Sequence, residues 1–117
     1  MDDDPGLDRS QLLRGTLDAA VLATVATADA YGYDVVRRLR AAGLADVGDA
    51  SVYGTLRRLH RAGALTSFLV PSDEGPQRRY YGITERGTAQ LVAARRTWDG
   101  FARALNALLA IESEVAA

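Results

Sequence analysis

The chain has no cysteine and no lysine, and only one histidine and one tryptophan among its 117 residues. Without cysteine there is no disulfide framework, thiolate metal site or thiol redox sensor. His60 stands alone, with no carboxylate cluster at ligand spacing, so no transition-metal site is expected. A Gly-rich phosphate loop, a nucleophile elbow and a convincing Ser, His and acid set are also missing, which argues against an enzyme and against a bound cofactor. Long apolar runs are scarce. The longest, Ala19 to Ala28, has about ten residues with two threonines, well short of the roughly 20 needed to span a bilayer. The N-terminus, Met1-Asp2-Asp3-Asp4-Pro5-Gly6, is acidic where a secretory signal is basic and then apolar. Residues 1–9 therefore read as a disordered acidic tail, and the protein as cytoplasmic with no membrane partner.

What is present is an ordinary globular composition, 48% apolar and 25% charged, in a chain with room for one domain. The formal net charge of -1 hides an uneven distribution. Asp2, Asp3, Asp4 and Asp8 lie in the tail, whereas Arg9 to Arg86 holds eleven arginines against eight acidic residues, an excess of 11 − 8 = +3. A local patch, not the total charge, governs electrostatic binding to a polyanion. All fourteen cationic residues are arginine, which is as much a mark of overall composition as of a need for forked guanidinium contacts.

Periodicity and turn signals divide the chain into four helices and a hairpin. A helix beginning near Ser10 and ending near Asp29 carries Leu13, Leu17, Val21 and Val25 at three-to-four spacing. A second follows Tyr31-Gly32 and runs to Ala42, with Gly43 as its C-terminal stop. A third starts at Asp49-Ala50-Ser51, where an aspartate or serine can cap the first turn, and closes at Gly63. Ala64 to Val70, a turn-rich Pro71 to Pro76 and Arg79 to Ile83 form a hairpin with a polar tip. After Thr84 as N-cap, a last helix runs toward Glu112 with Leu91, Ala94, Trp98, Phe101, Leu105 and Leu108 in alternating steps of three and four.

Three helices and then a hairpin is the order of a winged helix-turn-helix, so the fold class is mainly α with a small β-hairpin. Residues 10–86 form the DNA-binding domain in this reading and residues 87–117 a dimerisation helix. So long an amphipathic helix has no second domain to cover it, and a second copy of the chain is the economical partner. Leu91, Ala94, Trp98, Phe101, Leu105 and Leu108 are the expected interface.

Projected at 100° per residue, the third helix has Val52, Leu56 and Leu59 on one side. Opposite lie Arg57, Arg61, Gly54 and Arg58, three guanidinium groups around a position without a side chain. Such a face can approach a phosphate backbone and a groove, with Ser51 and Thr55 hydroxyls near the helix start. In the hairpin Arg78 and Arg79 stand beside the tip. Strand alternation points them to opposite faces, and it splits Tyr80 and Tyr81 likewise, one for the core and one free to offer its hydroxyl to a phosphate.

The segments Leu13 to Leu17, Tyr31-Gly32-Tyr33-Asp34, Ser51 to Leu59, Gly63-Ala64-Leu65 and Arg78 to Gly87 follow one another in the order and spacing of the PadR family, which the chain resembles from about Leu12 to Trp98. The resemblance implies a winged-helix regulator, usually a repressor, that dimerises through C-terminal helices. It further implies that Tyr53 and the third helix contact DNA, with Arg78 and Arg79 in the wing. One departure is Gly54, where the family usually has a proline that would pre-set the first helical turn. A single C-terminal helix places the chain beside the short members of the family. In some of these, flat aromatic effectors stack between tryptophans, which makes Trp98 and Phe101 candidate walls of an effector site; the more ordinary role for aromatics at helical spacing is that of dimer anchors, which fill space.

The expected DNA-binding set is thus Ser51, Tyr53, Gly54, Thr55, Arg57, Arg58, Arg61, Arg78, Arg79 and Tyr81. The expected partners are double-stranded operator DNA, a second copy of the chain and a small aromatic effector. The rival is a winged-helix module that binds a protein and no DNA, favoured if carboxylates engage the arginines of the third helix.

Overall fold

The computed structural model describes residues 8–116, side chains of residues 112–116 excepted; most of the expected acidic tail lies outside the described residues. The elements are α1 (Arg9–Thr27), β1 (Ala30–Tyr31), α2 (Gly32–Ala41), α3 (Asp49–Arg61), β2 (Leu65–Val70), β3 (Arg78–Ile83) and α4 (Glu85–Ala116).

Local chemistry explains most of these boundaries. Asp8 accepts the Ser10 N–H at 3.1 Å while Gln11 Oε1 accepts the Asp8 N–H at 3.2 Å, a reciprocal cap that starts α1. The helices α2 and α3 stop in the same way. Gly43 and Gly63 take φ of 111° and 84°, and the following amides of Leu44 and Ala64 reach back to the carbonyls of Leu39 and Leu59 at 3.0 and 2.9 Å. The N-cap of α3 is Gly48, without a side-chain cap. Asp49, expected to cap, is instead the first residue inside the helix, and its carboxylate receives the Arg40 guanidinium at 2.5 Å.

The expected hairpin is present, and a third strand joins it. In the order β1-β3-β2, Ala30 and Tyr31 pair with Tyr81 and Tyr80 while Phe68 faces Tyr80 across the hairpin. Two residues are too few to show a period, so only the register with β3 reveals β1. The core lies between α1, α2, α3 and the inner sheet face, with Leu22, Leu56, Leu65, Val21, Val25, Val35, Val36 and Val52 fully buried. Each contributes roughly 1.5–3 kcal/mol of transfer free energy.

Thr84 joins α4 to this body. Its hydroxyl donates to the Gly63 carbonyl at 2.7 Å and accepts the Gly87 N–H at 3.0 Å. Gly87 is required there, since a Cβ would sit 2.1 Å from the Ala64 carbonyl oxygen. Farther along, α4 leaves the body, and the described chain extends 60 × 36 × 20 Å. Among the described residues no helix is long and apolar enough to cross a membrane.

Candidate nucleic-acid interface

The core residues of α3 turn its opposite face outward. Val52, Leu56 and Leu59 are buried, and Ser51, Arg57 and Arg61 are exposed. A Cβ on Gly54 would meet nothing nearer than the Arg57 guanidinium at 3.9 Å, so the space between these arginines is open. Tyr53 is half-buried, its ring laid on Gly32 so closely that a Cβ there would stand 2.4 Å from Tyr53 Cε1. Burial, and then the negative charge of Asp49, push the Tyr53 phenol above its usual range.

Two members of the expected set do not belong to this face. Thr55 is only 4% exposed; it falls one position before Leu56 and shares the inner side, so it cannot present its hydroxyl to a groove. Arg58 is held by Asp18 of α1, with Nη1 and Nη2 donating to the two carboxylate oxygens at 2.8 Å each. That bidentate bond lowers the Asp18 pKa and raises that of Arg58. Arg58 therefore ties α1 to α3, and the outer face keeps two arginines. Among the described residues neither Arg57 nor Arg61 makes an ion pair.

Strand alternation is resolved by the sheet. The ring of Tyr81 lies in the core, 7% exposed and edge-on to His60 at 6.5 Å, so its expected role as a surface contact does not hold for the ring. Its neighbour Tyr80 lies on the outer face in a row across all three strands, 5.9 Å from Phe68 and 5.6 Å from Tyr31. Arg78, two residues before Tyr80 and on the same face, stacks over the Tyr31 ring at 4.8 Å. Arg79 points the other way, toward α3, and donates to Ser67 Oγ at 2.8 Å. Tyr31 and Tyr33, absent from the expected set, adjoin the wing arginines. Only the pairing of β1 brings them there, although their place in a recognisable motif was a signal.

A second feature lies at the other end of the body. A groove of about 880 Å³ runs between α1 and α4, with Leu12, Thr16 and Ala20 on one wall and Ala94, Trp98 and Phe101 on the other. Trp98 and Phe101 are 47% and 56% exposed, their rings 6.2 Å apart. Leu108 is 64% exposed and Leu105 half-buried. Leu91, expected in the same interface, is buried at 8% in the core of the single chain, because it sits where α4 still lies against the body.

The arrangement matches known regulators. The model of the transcriptional regulator PadR-like family matches residues 21–93. A PadR-like transcriptional regulator of Bacillus cereus is 31% identical with a TM-score of 0.76, over 85% of this chain and 96% of that one. A PadR family regulator of Eggerthella lenta is 30% identical with a TM-score of 0.78, over 86% and 88%. A Streptococcus transcriptional regulator is 28% identical with a TM-score of 0.75, over 84% and 96%. With the family model spanning more than half of its length and a winged helix built as these structures are, the chain belongs to the PadR-like family of transcriptional regulators.

Proposed function

We propose that the chain is a sequence-specific repressor that binds a two-fold operator as a homodimer and is released by a small planar aromatic effector. The observation that carries DNA binding is the outer face of α3, where Arg57 and Arg61 are exposed and the space at Gly54 is open. In this reading Ser51, Tyr53 and Gly54 border the groove, Arg57 and Arg61 reach base edges or phosphates, and Arg78 and Arg79 meet the flanking backbone. Half-sites lie about one helical turn apart, roughly 10 base pairs, or a multiple.

Dimerisation assigns Ala94, Trp98, Phe101, Leu105 and Leu108 to a partner copy, since an apolar stripe this exposed is costly in water. The effector would stack on Trp98 and Phe101 in the α1–α4 groove.

A mobility-shift titration against the fragment upstream of the chain's own gene, with scrambled competitor and at two salt concentrations, tests the reading. Selective binding that weakens as salt rises is the expected result. Absence of binding to any DNA at low salt would reject it and leave the protein-binding module. Trp98 fluorescence then reports candidate effectors.

A further inference from the structure

Local structure gives Asp18 little reason to be an aspartate. It stands at the midpoint of α1, far from the N-terminal amides that this side chain commonly serves. In a helix interior aspartate is among the weaker helix formers. Its hydrogen-bond partner among the described residues is Arg58 of α3. As a brace the pair is weak, since Arg58 and Asp18 keep 58% and 40% of their side-chain surface in water, where an ion pair is screened and stabilises little.

What the pair does change is the charge that α3 presents. The buried Val52, Leu56 and Leu59 define the inward direction of this helix, and Gly54 and Arg61 lie opposite. At 100° per residue, Arg57 and Arg58 then leave the backbone symmetrically, each roughly 50° to one side of the outward line. Backbone geometry thus offers both to a polyanion. Arg57 makes no ion pair among the described residues. Arg58, by contrast, has both Nη1 and Nη2 donating to Asp18 at 2.8 Å. A carboxylate and a phosphate engage the guanidinium fork in the same bidentate way, so one excludes the other.

We propose that Asp18 is a specificity-determining residue for DNA binding that acts by withholding an arginine: its carboxylate fills the fork of Arg58 as a phosphate would. The proposal rests on the operator-binding reading and adds to it a residue of α1 that touches no DNA. On an operator, groove contacts fix the register of the protein. On any other sequence the protein can slide until a free Arg58 meets a phosphate, a contact that carries no sequence information. The restraint imposed by Asp18 therefore falls mainly on non-specific binding.

Asp18→Asn keeps the side chain's volume and removes the charge that holds the fork, and its melting temperature checks the fold. In mobility-shift titrations of the full chain against scrambled DNA, this variant binds about threefold to tenfold more tightly than wild type at low salt. Its slope of log affinity against log salt steepens by about one per protomer, the share of one added phosphate. Operator affinity rises by less, so discrimination between operator and scrambled DNA falls. Adding Arg58→Ala to Asp18→Asn returns the slope to the wild-type value, which ties the gain to that guanidinium.

Wild-type slope and affinity in Asp18→Asn, or a gain that survives the addition of Arg58→Ala, would overturn the proposal and leave the operator reading intact. Weaker operator binding at an unchanged slope would also overturn it and make the ion pair a brace that positions α3. Failure of both wild type and variant to bind any DNA at low salt would instead overturn the operator reading.

Discussion

The winged-helix body and the outer half of α4 use the same apolar residues at the same helical spacing, with opposite results. In the body Val21, Val25, Val36, Leu56 and Leu59 are at most 2% exposed, covered by α1, α2, α3 and the sheet. Beyond Ala94 the stripe continues, yet Trp98, Phe101 and Leu108 are 47 to 64% exposed. The transition falls at Leu91, the last stripe residue in the core. An amphipathic pattern states that a face must be covered, and the geometry of the chain decides whether the cover comes from within.

The sharpest test substitutes one leucine on each side of that transition. Leu56→Ala costs about 2–5 kcal/mol of unfolding free energy in urea titration, whatever the protein concentration. Leu108→Ala changes the stability of very dilute protein by less than about 0.5 kcal/mol, but weakens the rise of the melting temperature with concentration that association produces. A wild-type melting temperature independent of concentration would break the contrast, because the stripe would then need no partner.

Charging the stripe sharpens the same point. Phe101→Glu with Leu108→Glu yields a monomer in sedimentation velocity, with the body still folded by circular dichroism. Operator affinity then falls by at least about 100-fold, since two linked half-site contacts become one.

On the outer face of α3, proposed to meet DNA, the expected effects are smaller and separate by residue. Arg57→Ala and Arg61→Ala each lower the slope of log affinity against log salt by about one, with stability within about 0.5 kcal/mol of wild type. Arg58→Ala leaves that slope unchanged and lowers the melting temperature instead, because its guanidinium is bound to Asp18. A slope change for Arg58 equal to that for Arg57 would return it to the DNA face.

The smallest effect is on acid stability. The Arg58 guanidinium holds the Asp18 carboxyl below its ordinary value. A carboxylate with a depressed folded-state pKa stabilises fully above the unfolded value of roughly 4, and that contribution fades as pH falls through the lower folded value. Both partners are partly exposed, so Asp18→Asn removes well under about 1 kcal/mol of the wild-type difference between pH 6 and pH 3.

Much of this was legible from the residues in order. Gly43 and Gly63 mark helix ends because only a residue tolerant of positive φ closes them cheaply. Thr84 marks a start through its hydroxyl, and the α3 stripe separates Val52, Leu56 and Leu59 from Arg57 and Arg61 by angle alone. The Asp18–Arg58 pair spans 40 positions and leaves no local trace. Which tyrosine turns inward was also hidden, since alternation determines only that Tyr80 and Tyr81 differ.

The sequence by itself therefore determined the order of the four helices and the hairpin, the glycine-closed ends of α2 and α3 and the outward basic face of α3, all properties of backbone conformation and side-chain period within about a dozen residues. Only the tertiary structure decided which arginine is spent on an ion pair, that Leu91 belongs to the core, and that Tyr81 is the tyrosine turned inward. Those outcomes depend on which distant surfaces meet, and a side chain's role follows from the partner that reaches it first.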